Sequence, residues 1–338
     1  MTIKHKIKEI FNEWEEAREF SGVLSISDDK GAIYESAQGF RNKAEKLPNE
    51  SDTLFAIASG TKLFTAIAIC QLIDMGKLSL DTKVWDILPF DLQKVDKEVT
   101  IRHLLTHTSG IGDYIDEDEI EDSLEVLELY NTRPVHQWTS LEFYLPMTTE
   151  KESKFAPGTE QSYSNSGFIL LGLVIEAIGK RSYHDYVRTQ IIEPLNLERT
   201  DFYATNHLPY NTAIGYVYDE TVEDFVTNTL YMPMMAGSDG GIFTCAKDMA
   251  RVWQGVFAEK LFSKGMLEQF ITPTDEFGLG VYIDEVKGGV MYHTEGGDFG
   301  TNFLSVYFPE TKTVVTTLGN TEVDTFDFIS ELIPLFIQ

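Results

Sequence analysis

Residues 59–78 read SGTKLFTAIAICQLIDMGKL, and this stretch decides the fold. Its apolar residues recur at helical spacing, so that Leu63 and Ile67 fall on one broad face. Ser59 stands at the start and Gly76 near the end, where such residues favour helix termini. The stretch therefore predicts the central, buried helix of the protein.

Composition limits the classes of partner. The chain has 338 residues, 43% of them apolar, and its 54 acidic residues against 27 basic ones give a net charge of −27. This length suits one large domain or two ordinary ones. Binding of nucleic acid or of anionic lipid needs a basic surface, which this balance disfavours. We therefore expect a globular protein that acts on a small molecule, with no nucleic-acid or membrane partner and an undetermined oligomeric state.

Alternating segments on both sides of the central helix predict an antiparallel sheet. GVLSIS (22–27) and AIYESAQG (32–39) flank an Asp/Gly turn and predict a hairpin. From about residue 241 the period changes, and short strands are predicted over 277–284, 289–293, 302–308 and 313–319. The first twenty residues predict an amphipathic helix. It is expected to pack on the sheet with a C-terminal helix that Pro334 interrupts.

The middle of the chain, from about residue 86 to 240, reads as helices and long loops without a strand ladder. One helix is predicted to open at Thr100 and a strongly apolar one to cover 166–180. The fold class is therefore α+β: an antiparallel sheet flanked by N- and C-terminal helices, plus an inserted, mostly helical domain. The predicted sheet domain is discontinuous, formed by 1–85 and 241–338, and the predicted insertion is 86–240.

Cysteine usage and hydropathy indicate the compartment. Cys70 and Cys245 stand 175 residues apart in apolar surroundings, which predicts two buried free thiols rather than a disulfide or a CxxC motif. No stretch approaches the ~18 uninterrupted apolar residues of a membrane span. The first twenty residues also lack a cleavage site for export. These features predict a cytoplasmic protein.

Two Ser-x-x-Lys pairs occur, and about one is expected by chance at this composition. The pair Ser27 and Lys30 straddles the predicted hairpin turn, where an extended backbone directs the two side chains apart. Ser59 and Lys62 instead lie one helical turn apart on one face. Burial and the positive end of the helix dipole disfavour a charged ammonium, which predicts Lys62 as a base for Ser59. The plainer alternative is a capping serine beside a lysine that reaches the surface.

Tyr163-Ser164-Asn165 is the one Tyr-x-Asn sequence in the chain. A Pro-Gly turn and a polar loop lead into it, and an apolar helix follows, which predicts a phenol and an amide at a loop tip, where catalytic groups collect.

Two commoner hydrolase signatures are incomplete or missing. His103 and His107 have the spacing of a zinc helix, but Leu104 replaces the glutamate that a metalloprotease needs. No serine has the flanking glycines of the G-x-S-x-G elbow. We therefore predict no metal site and no cofactor.

Five blocks in order, between about residues 20 and 320, resemble the serine β-lactamase and penicillin-binding-protein family. They are FAIASGTKLFTAIAICQLIDMGKLSLD, VTIRHLLTHTSGI, FAPGTEQSYSNSGFILLGLVIE, GGIFTCAKDMARV and a late His-Thr-Glu-Gly-Gly. The nearest resemblance is to class C β-lactamases, D-alanyl-D-alanine carboxypeptidases and related esterases. It implies a β-lactamase/transpeptidase-like fold.

The resemblance also implies roles for individual residues. Ser59 would be the acylated nucleophile, Lys62 its proton partner and Tyr163 the general base or acid that serves the leaving group. Asn165 would position the substrate amide. The Ser59 N–H would form half of an oxyanion hole. The two histidines of the HLLTH block would support the fold.

The third family motif, Lys/His-Thr/Ser-Gly, is where the chain departs from the pattern. The resemblance places it on a strand near Gly296 or Gly297, which supplies the other half of the oxyanion hole. If His293 occupies the first, cationic position of the motif, Glu295 stands where the family has glycine. If Gly296 is that glycine, Thr294 occupies the first position and the motif has no cation. We favour His293 as the substrate-binding residue, with Glu295 bulging outward or narrowing the cleft.

The predicted function is therefore a serine hydrolase that cleaves an ester or amide through a Ser59 acyl-enzyme. An intracellular esterase or small peptidase is favoured over a true β-lactamase, because no export signal accompanies the chain. The alternative is a penicillin-binding-type sensor with little or no turnover.

An acidic block, GDYIDEDEIEDSLEVLE (112–128), follows the HTSG sequence. If it lies beside the cleft, its carboxylates form a negative rim that attracts cationic substrates and opposes anionic ones. The residues expected to matter most are Asp116, Glu117, Asp118 and Glu119. The alternative is a solvated surface segment.

Overall fold

The computed structural model describes residues 2–16, 18–117, 123–274 and 277–337. Its α-helices are α1 (Ile3–Glu15), α2 (Thr61–Asp74), α3 (Ile101–Leu105), α4 (Ser123–Thr132), α5 (Leu145–Thr149), α6 (Asn165–Gly179), α7 (Tyr183–Val187), α8 (Ala246–Phe257), α9 (Lys264–Phe270) and α10 (Phe326–Phe336). Its strands are β1 (Gly22–Asp28), β2 (Gly31–Gln38), β3 (Phe40–Asn42), β4 (Leu47–Pro48), β5 (Phe55–Ala56), β6 (Tyr216–Asp219), β7 (Asp224–Thr227), β8 (Phe243–Thr244), β9 (Tyr282–Val286), β10 (Gly289–Asp298), β11 (Thr301–Phe308) and β12 (Thr313–Gly319).

A six-stranded antiparallel sheet in the order β2-β1-β12-β11-β10-β9 forms the centre. Successive residues of its strands face opposite sides, so that Phe303 and Leu304 belong to different apolar clusters. Both faces of the sheet are therefore covered, and the α+β fold with terminal helices is confirmed.

The two terminal helices cover one face of the sheet. Ile7, Phe11 and Trp14 of α1 are buried in the same cluster as Phe328 and Leu332 of α10. This confirms the predicted packing of the termini. Pro334 does not interrupt α10, which continues to Phe336.

Helix α2 lies on the other face of the sheet, where α6, α7 and α9 contact it. Every residue from Thr61 to Leu72 is buried, so the helix is apolar on all sides rather than on one broad face. Helix α8 packs on β1 and β12 beside it, and the Trp253 indole donates a hydrogen bond to Ser305 Oγ at 2.9 Å. The central position of α2 is what fixes the residues at its N-terminus.

The apolar core on this face runs without a break from the sheet into the helical region. Val23 and Leu318 of the sheet belong to the same buried cluster as Trp138 and Leu171. The domain boundaries near residues 85 and 240 remain a prediction, since no gap in this core marks them.

Three further features depart from the prediction or were not predicted. A hairpin formed by β6 and β7 lies inside the region predicted to have no strands. The segment after residue 241 first forms β8 and two helices, α8 and α9, before the strands begin. The strand predicted over 277–284 starts only at Tyr282, because Gly280 adopts a φ of +76° in a turn.

Cys70 and Cys245 are buried and free, as predicted. Among the helices in the described ranges, none is long and apolar enough to cross a membrane.

Candidate active site

Ser59 lies in a single 3₁₀ turn, residues 58–60, that leads directly into α2. The residue before it, Ala58, has a φ of +42°, a left-handed conformation that is unfavourable for a residue with a Cβ. Two hydrogen bonds hold this strained peptide, because the Ala58 carbonyl accepts from Thr61 Oγ1 at 2.8 Å and from the Gly241 N–H at 3.1 Å. The turn thus fixes the position of Ser59, whose side chain does not cap the helix.

Lys62 lies one helical turn beyond Ser59, and its Nζ has three hydrogen-bond partners. They are Ser59 Oγ at 2.9 Å, Asn165 Oδ1 at 2.7 Å and the Asp239 carbonyl oxygen at 2.9 Å. The two carbonyl-type oxygens only accept hydrogen bonds, whereas the serine hydroxyl either donates or accepts. A neutral amine can therefore donate to both carbonyls and use its lone pair to accept the proton of Ser59.

Burial favours this neutral form of Lys62. Desolvation is the largest influence and holds the pKa of the buried amine below its ordinary value of 10.5. The carboxylates of Asp239 and Glu117 act in the opposite direction. The predicted proximity of Ser59 and Lys62 is therefore present, with Lys62 Nζ one hydrogen bond from Ser59 Oγ.

Tyr163 lies beside the same pair. Its ring centroid is 4.8 Å from Lys62 Nζ, and its hydroxyl shares a hydrogen bond with Ser59. Burial raises the pKa of this phenol well above 10, although the bond with Ser59 opposes the rise. Tyr163 is therefore a neutral phenol at physiological pH, suited to donate a proton rather than to accept one at the start of a reaction.

His107 holds the Tyr163 loop from behind. Its ring stacks on Tyr163 with centroids 4.6 Å apart, and its Nδ1 accepts the Ser164 N–H at 3.0 Å. Burial lowers the pKa of His107 to about 3. The histidine packs against the fold as predicted, but the side chain that it supports is Tyr163.

Asn165 begins α6, and a buried carboxylate fixes it there. Asp113 accepts hydrogen bonds from the backbone N–H groups of Asn165 at 2.6 Å and Ser166 at 2.9 Å. The Asn165 amide group then points toward Lys62 through Oδ1, while its Nδ2 donates to the Ile115 carbonyl at 3.2 Å. Desolvation raises the pKa of Asp113 to about 6, against these hydrogen bonds.

Strand β10 passes directly against the Ser59 turn. A Cβ placed on Gly296 would lie 2.2 Å from the Ile57 carbonyl oxygen and 2.8 Å from the Ser59 amide nitrogen. No side chain larger than hydrogen fits there, because the neighbouring atoms belong to the backbone. A Cβ on Gly297 would meet nothing within 4 Å among the described residues. The structure thus brings Gly296 against Ser59 and leaves open space at Gly297.

His293, by contrast, lies outside the site. Residues two apart on a strand share a face, so Thr294 shares the face of Gly296, and His293 lines neither of the two cavities described below. Its Nε2 pairs with Asp284 at 2.9 Å, and the ring stacks on Tyr282 at 4.7 Å. This placement corrects the expectation that His293 occupies the cationic position of the motif. The frame in which Thr294 takes that position matches the geometry.

Two cavities of about 480 Å³ each meet at Ser59. The first, here called the helical cavity, is lined by Asn165, Asp298 and the rings of Tyr114, Tyr130, Trp138 and Tyr144. The second, here called the strand cavity, is lined by Tyr163, Phe277, Tyr282, Glu295, Gly296 and Asp324. Ser59, Glu117, Gly297 and Asn302 border both.

Among the described residues of the acidic block, one of the four residues named above lines the site and another does not. Asp116 is buried and pairs with Lys154 at 2.7 Å, so it does not form a rim. Glu117 borders both cavities and accepts a hydrogen bond from Asn165 Nδ2 at 3.2 Å. Asp118 and Glu119 lie outside the described residues.

Sequence reasoning missed two other acidic residues, Asp239 and Asp298. The Tyr114 hydroxyl donates a hydrogen bond to the Asp239 carboxylate. Asp298 ends β10, and its only local signal in the sequence is that it follows two glycines.

A fixed serine, a buried lysine and a neutral tyrosine, brought together beside two cavities, are the groups of a serine hydrolase. The chain belongs to the β-lactamase family, whose model, described as "Beta-lactamase", matches residues 8–333. The known relatives agree with this assignment.

A crystal structure of a penicillin binding protein from Bacillus halodurans is 35% identical and superposes with a TM-score of 0.90, covering 98% of this chain and 100% of that one. Penicillin-binding protein 4* of Bacillus subtilis is 28% identical over 95% of this chain and 72% of its own length. A teichoic acid D-alanine hydrolase of Staphylococcus aureus is 24% identical over 94% of this chain and 78% of its own.

Proposed function

We propose that the protein is an esterase or small-peptide amidase that forms an acyl-enzyme on Ser59. The observation that carries this proposal is the hydrogen-bond set of Lys62, with two acceptor-only oxygens and the serine hydroxyl. Relatives that are named as hydrolases support it.

In the first step, neutral Lys62 takes the proton of Ser59 Oγ as the oxygen attacks the substrate carbonyl carbon. Negative charge develops on the carbonyl oxygen, and the Ser59 N–H faces it from the side of Gly296. Asn165 keeps the Lys62 amine oriented during this transfer.

In the second step, the bond between the carbonyl carbon and the leaving oxygen or nitrogen breaks. Tyr163 donates its proton to the leaving atom and recovers one from Lys62, which like Tyr163 hydrogen-bonds to Ser59. Water then attacks the acyl-enzyme with the same groups acting in reverse, which releases the acid and free Ser59.

The charges that line the two cavities favour substrates without a carboxylate. Glu295 and Asp324 line the strand cavity, and no Lys, Arg or His lines either cavity in the described part of the chain. Penicillins and D-Ala-D-Ala peptides carry a carboxylate, which this lining repels. The proposal therefore favours neutral or cationic esters and amides over β-lactams. An intracellular setting stays a prediction, which fractionation of the producing cells would check.

The test compares two serine variants with a fluorophosphonate probe and p-nitrophenyl acyl esters. We expect the probe to label the wild-type protein and the esters to turn over. Ser59→Ala should abolish both, and Ser27→Ala, from the other Ser-x-x-Lys pair, should change neither. Turnover that survives in Ser59→Ala would refute the proposal. Labelling of the wild type without turnover would favour the sensor alternative.

A further inference from the structure

The position of Tyr163 decides which cavity receives which half of the substrate. A proton donor must touch the leaving atom, and Tyr163 lines the strand cavity but not the helical cavity. The leaving group therefore occupies the strand cavity. The acyl group, on the other side of the carbonyl carbon, extends into the helical cavity.

The helical cavity combines aromatic walls with carboxylates. Glu117, Asp239, Asp298 and Glu322 line it together with the rings of Tyr114 and Trp138. Carboxylates and ring faces both attract cations. An acyl group with a positive charge therefore fits this cavity, whereas an anionic one does not.

Asp298 is a carboxylate of this cavity that hydrogen-bonds to no other side chain among the described residues. Asp239 accepts a hydrogen bond from Tyr114, and Glu117 accepts one from Asn165. The Asp298 side chain accepts one hydrogen bond from the described residues, from the Phe299 N–H at 2.8 Å. Its other oxygen is left to accept from a ligand.

The register of β10 sets the reach of Asp298. Gly296 contacts the Ser59 amide, and Asp298 is two residues further along the same extended strand, so both face the Ser59 side. Two residues of strand span about 6–7 Å. In an α-amino acid the nitrogen lies about 2.5 Å from the carbonyl carbon. Its hydrogen bond to a carboxylate adds about 2.8 Å. These two lengths together reach about 5 Å from the carbonyl carbon, and the Asp298 side chain, which lines the cavity that Ser59 also borders, covers the remaining ~1–2 Å.

We propose that the acyl half of the substrate is an aminoacyl group and that Asp298 binds its ammonium as the residue that determines specificity. This inference rests on the proposed esterase or amidase function. It names the substrate class as esters or amides of amino acids with a free α-amino group.

The protonation behaviour of Asp298 agrees with such a role. Desolvation is the largest influence and, with the negative charges of Glu117, Asp239 and Glu322, raises its pKa to about 7, although the Phe299 N–H opposes the rise. A cation beside the carboxyl reverses this effect, because an opposite charge stabilises the ionised form.

The test uses the phenyl ester of alanine, as both enantiomers, and phenyl isobutyrate, in which a methyl group replaces the ammonium. Asp298→Asn keeps the shape of the side chain and removes its charge. We expect it to lower kcat/KM for at least one alanine ester by about 10- to 100-fold. For the isobutyrate, kcat/KM should change by no more than about twofold. That result would also show that the active site of the variant is correctly folded.

Glu331→Gln is the matched control, because it removes the same formal charge from an exposed residue that lines neither cavity. It should leave both substrates within about threefold. If Asp298→Asn lowers kcat/KM for both substrates to the same degree, or lowers it for neither, the inference is overturned. Isobutyrate turnover that depends on Ser59 would still support the hydrolase function. If the wild type hydrolyses neither ester, the proposed function fails, and this inference fails with it.

Discussion

His107 offers a quantitative test of the way the Tyr163 loop is held. The buried ring has a pKa of about 3 against an ordinary value of 6.5. One pKa unit corresponds to about 1.4 kcal/mol, so the difference between the two pKa values corresponds to about 5 kcal/mol of folding free energy. Between these values the unfolded chain binds the proton and the folded protein does not. The stability that depends on the neutral His107 ring is therefore fully present above pH 6.5 and is lost as the pH falls toward 3.

The substitution His107→Asn removes the titrating group and keeps an amide oxygen that can accept the Ser164 N–H. At pH 5 the wild type should have lost about 2 kcal/mol of stability through this histidine, and the variant should lose none of that amount. Asp113 and Asp298 titrate in the same range with the opposite sign, but they are present in both proteins. Subtracting the variant from the wild type isolates His107.

Urea unfolding at pH 7 and at pH 5 measures the two free energies of unfolding for each protein. The control is His136→Asn, the same change at an exposed histidine, which should follow the wild type at both pH values. If the drop in stability from pH 7 to pH 5 is the same for wild type and His107→Asn, the histidine is not a buried neutral support of the loop.

The other predictions concern the site itself. Tyr163→Phe should lower the acylation rate, measured in stopped-flow burst assays, by ~10²–10⁴-fold with little change in Tm. Activity within a few-fold of the wild type would show that another residue is the proton donor. Gly296→Ala should lower the free energy of unfolding by about 1–3 kcal/mol and remove activity, because the added Cβ meets the Ile57 carbonyl. Gly297→Ala should unfold at the same urea concentration as the wild type. Equal stabilities of the two variants would contradict the close approach of β10 to the Ser59 turn. As the salt concentration rises from 0.01 to 0.1 M, kcat/KM should fall for a cationic ester and rise for an anionic one. If kcat/KM depends on salt in the same way for both esters, the acidic lining does not act on substrates.

Much of the fold was predictable because periodicity reports burial directly. The strand over 313–319 was predicted with its observed bounds, and the hairpin near the N-terminus is off by a residue at each strand. The β6–β7 hairpin was missed because its residues are largely exposed, so no apolar alternation marks it.

The site was predictable where chemistry is local and not where it depends on register. Ser59 and Lys62 are one turn apart on a single helix, so the sequence spacing already places them together. The choice between His293 and Thr294 depends on which face of β10 meets the Ser59 turn, and only the pairing of β10 with β11 decides that. Asp298 follows from the same register, which explains why the composition gave no hint of its position.

The most direct test of the central claim is to observe the acyl-enzyme on Ser59. Rapid mixing with a p-nitrophenyl acyl ester, followed by acid quench and intact-protein mass spectrometry, should show one added acyl group per protein. Proteolysis and fragmentation should place that group on Ser59, and Ser59→Ala should show none. Hydrolysis without any covalent adduct, or an adduct on a different residue with Ser59→Ala still active, would contradict the account.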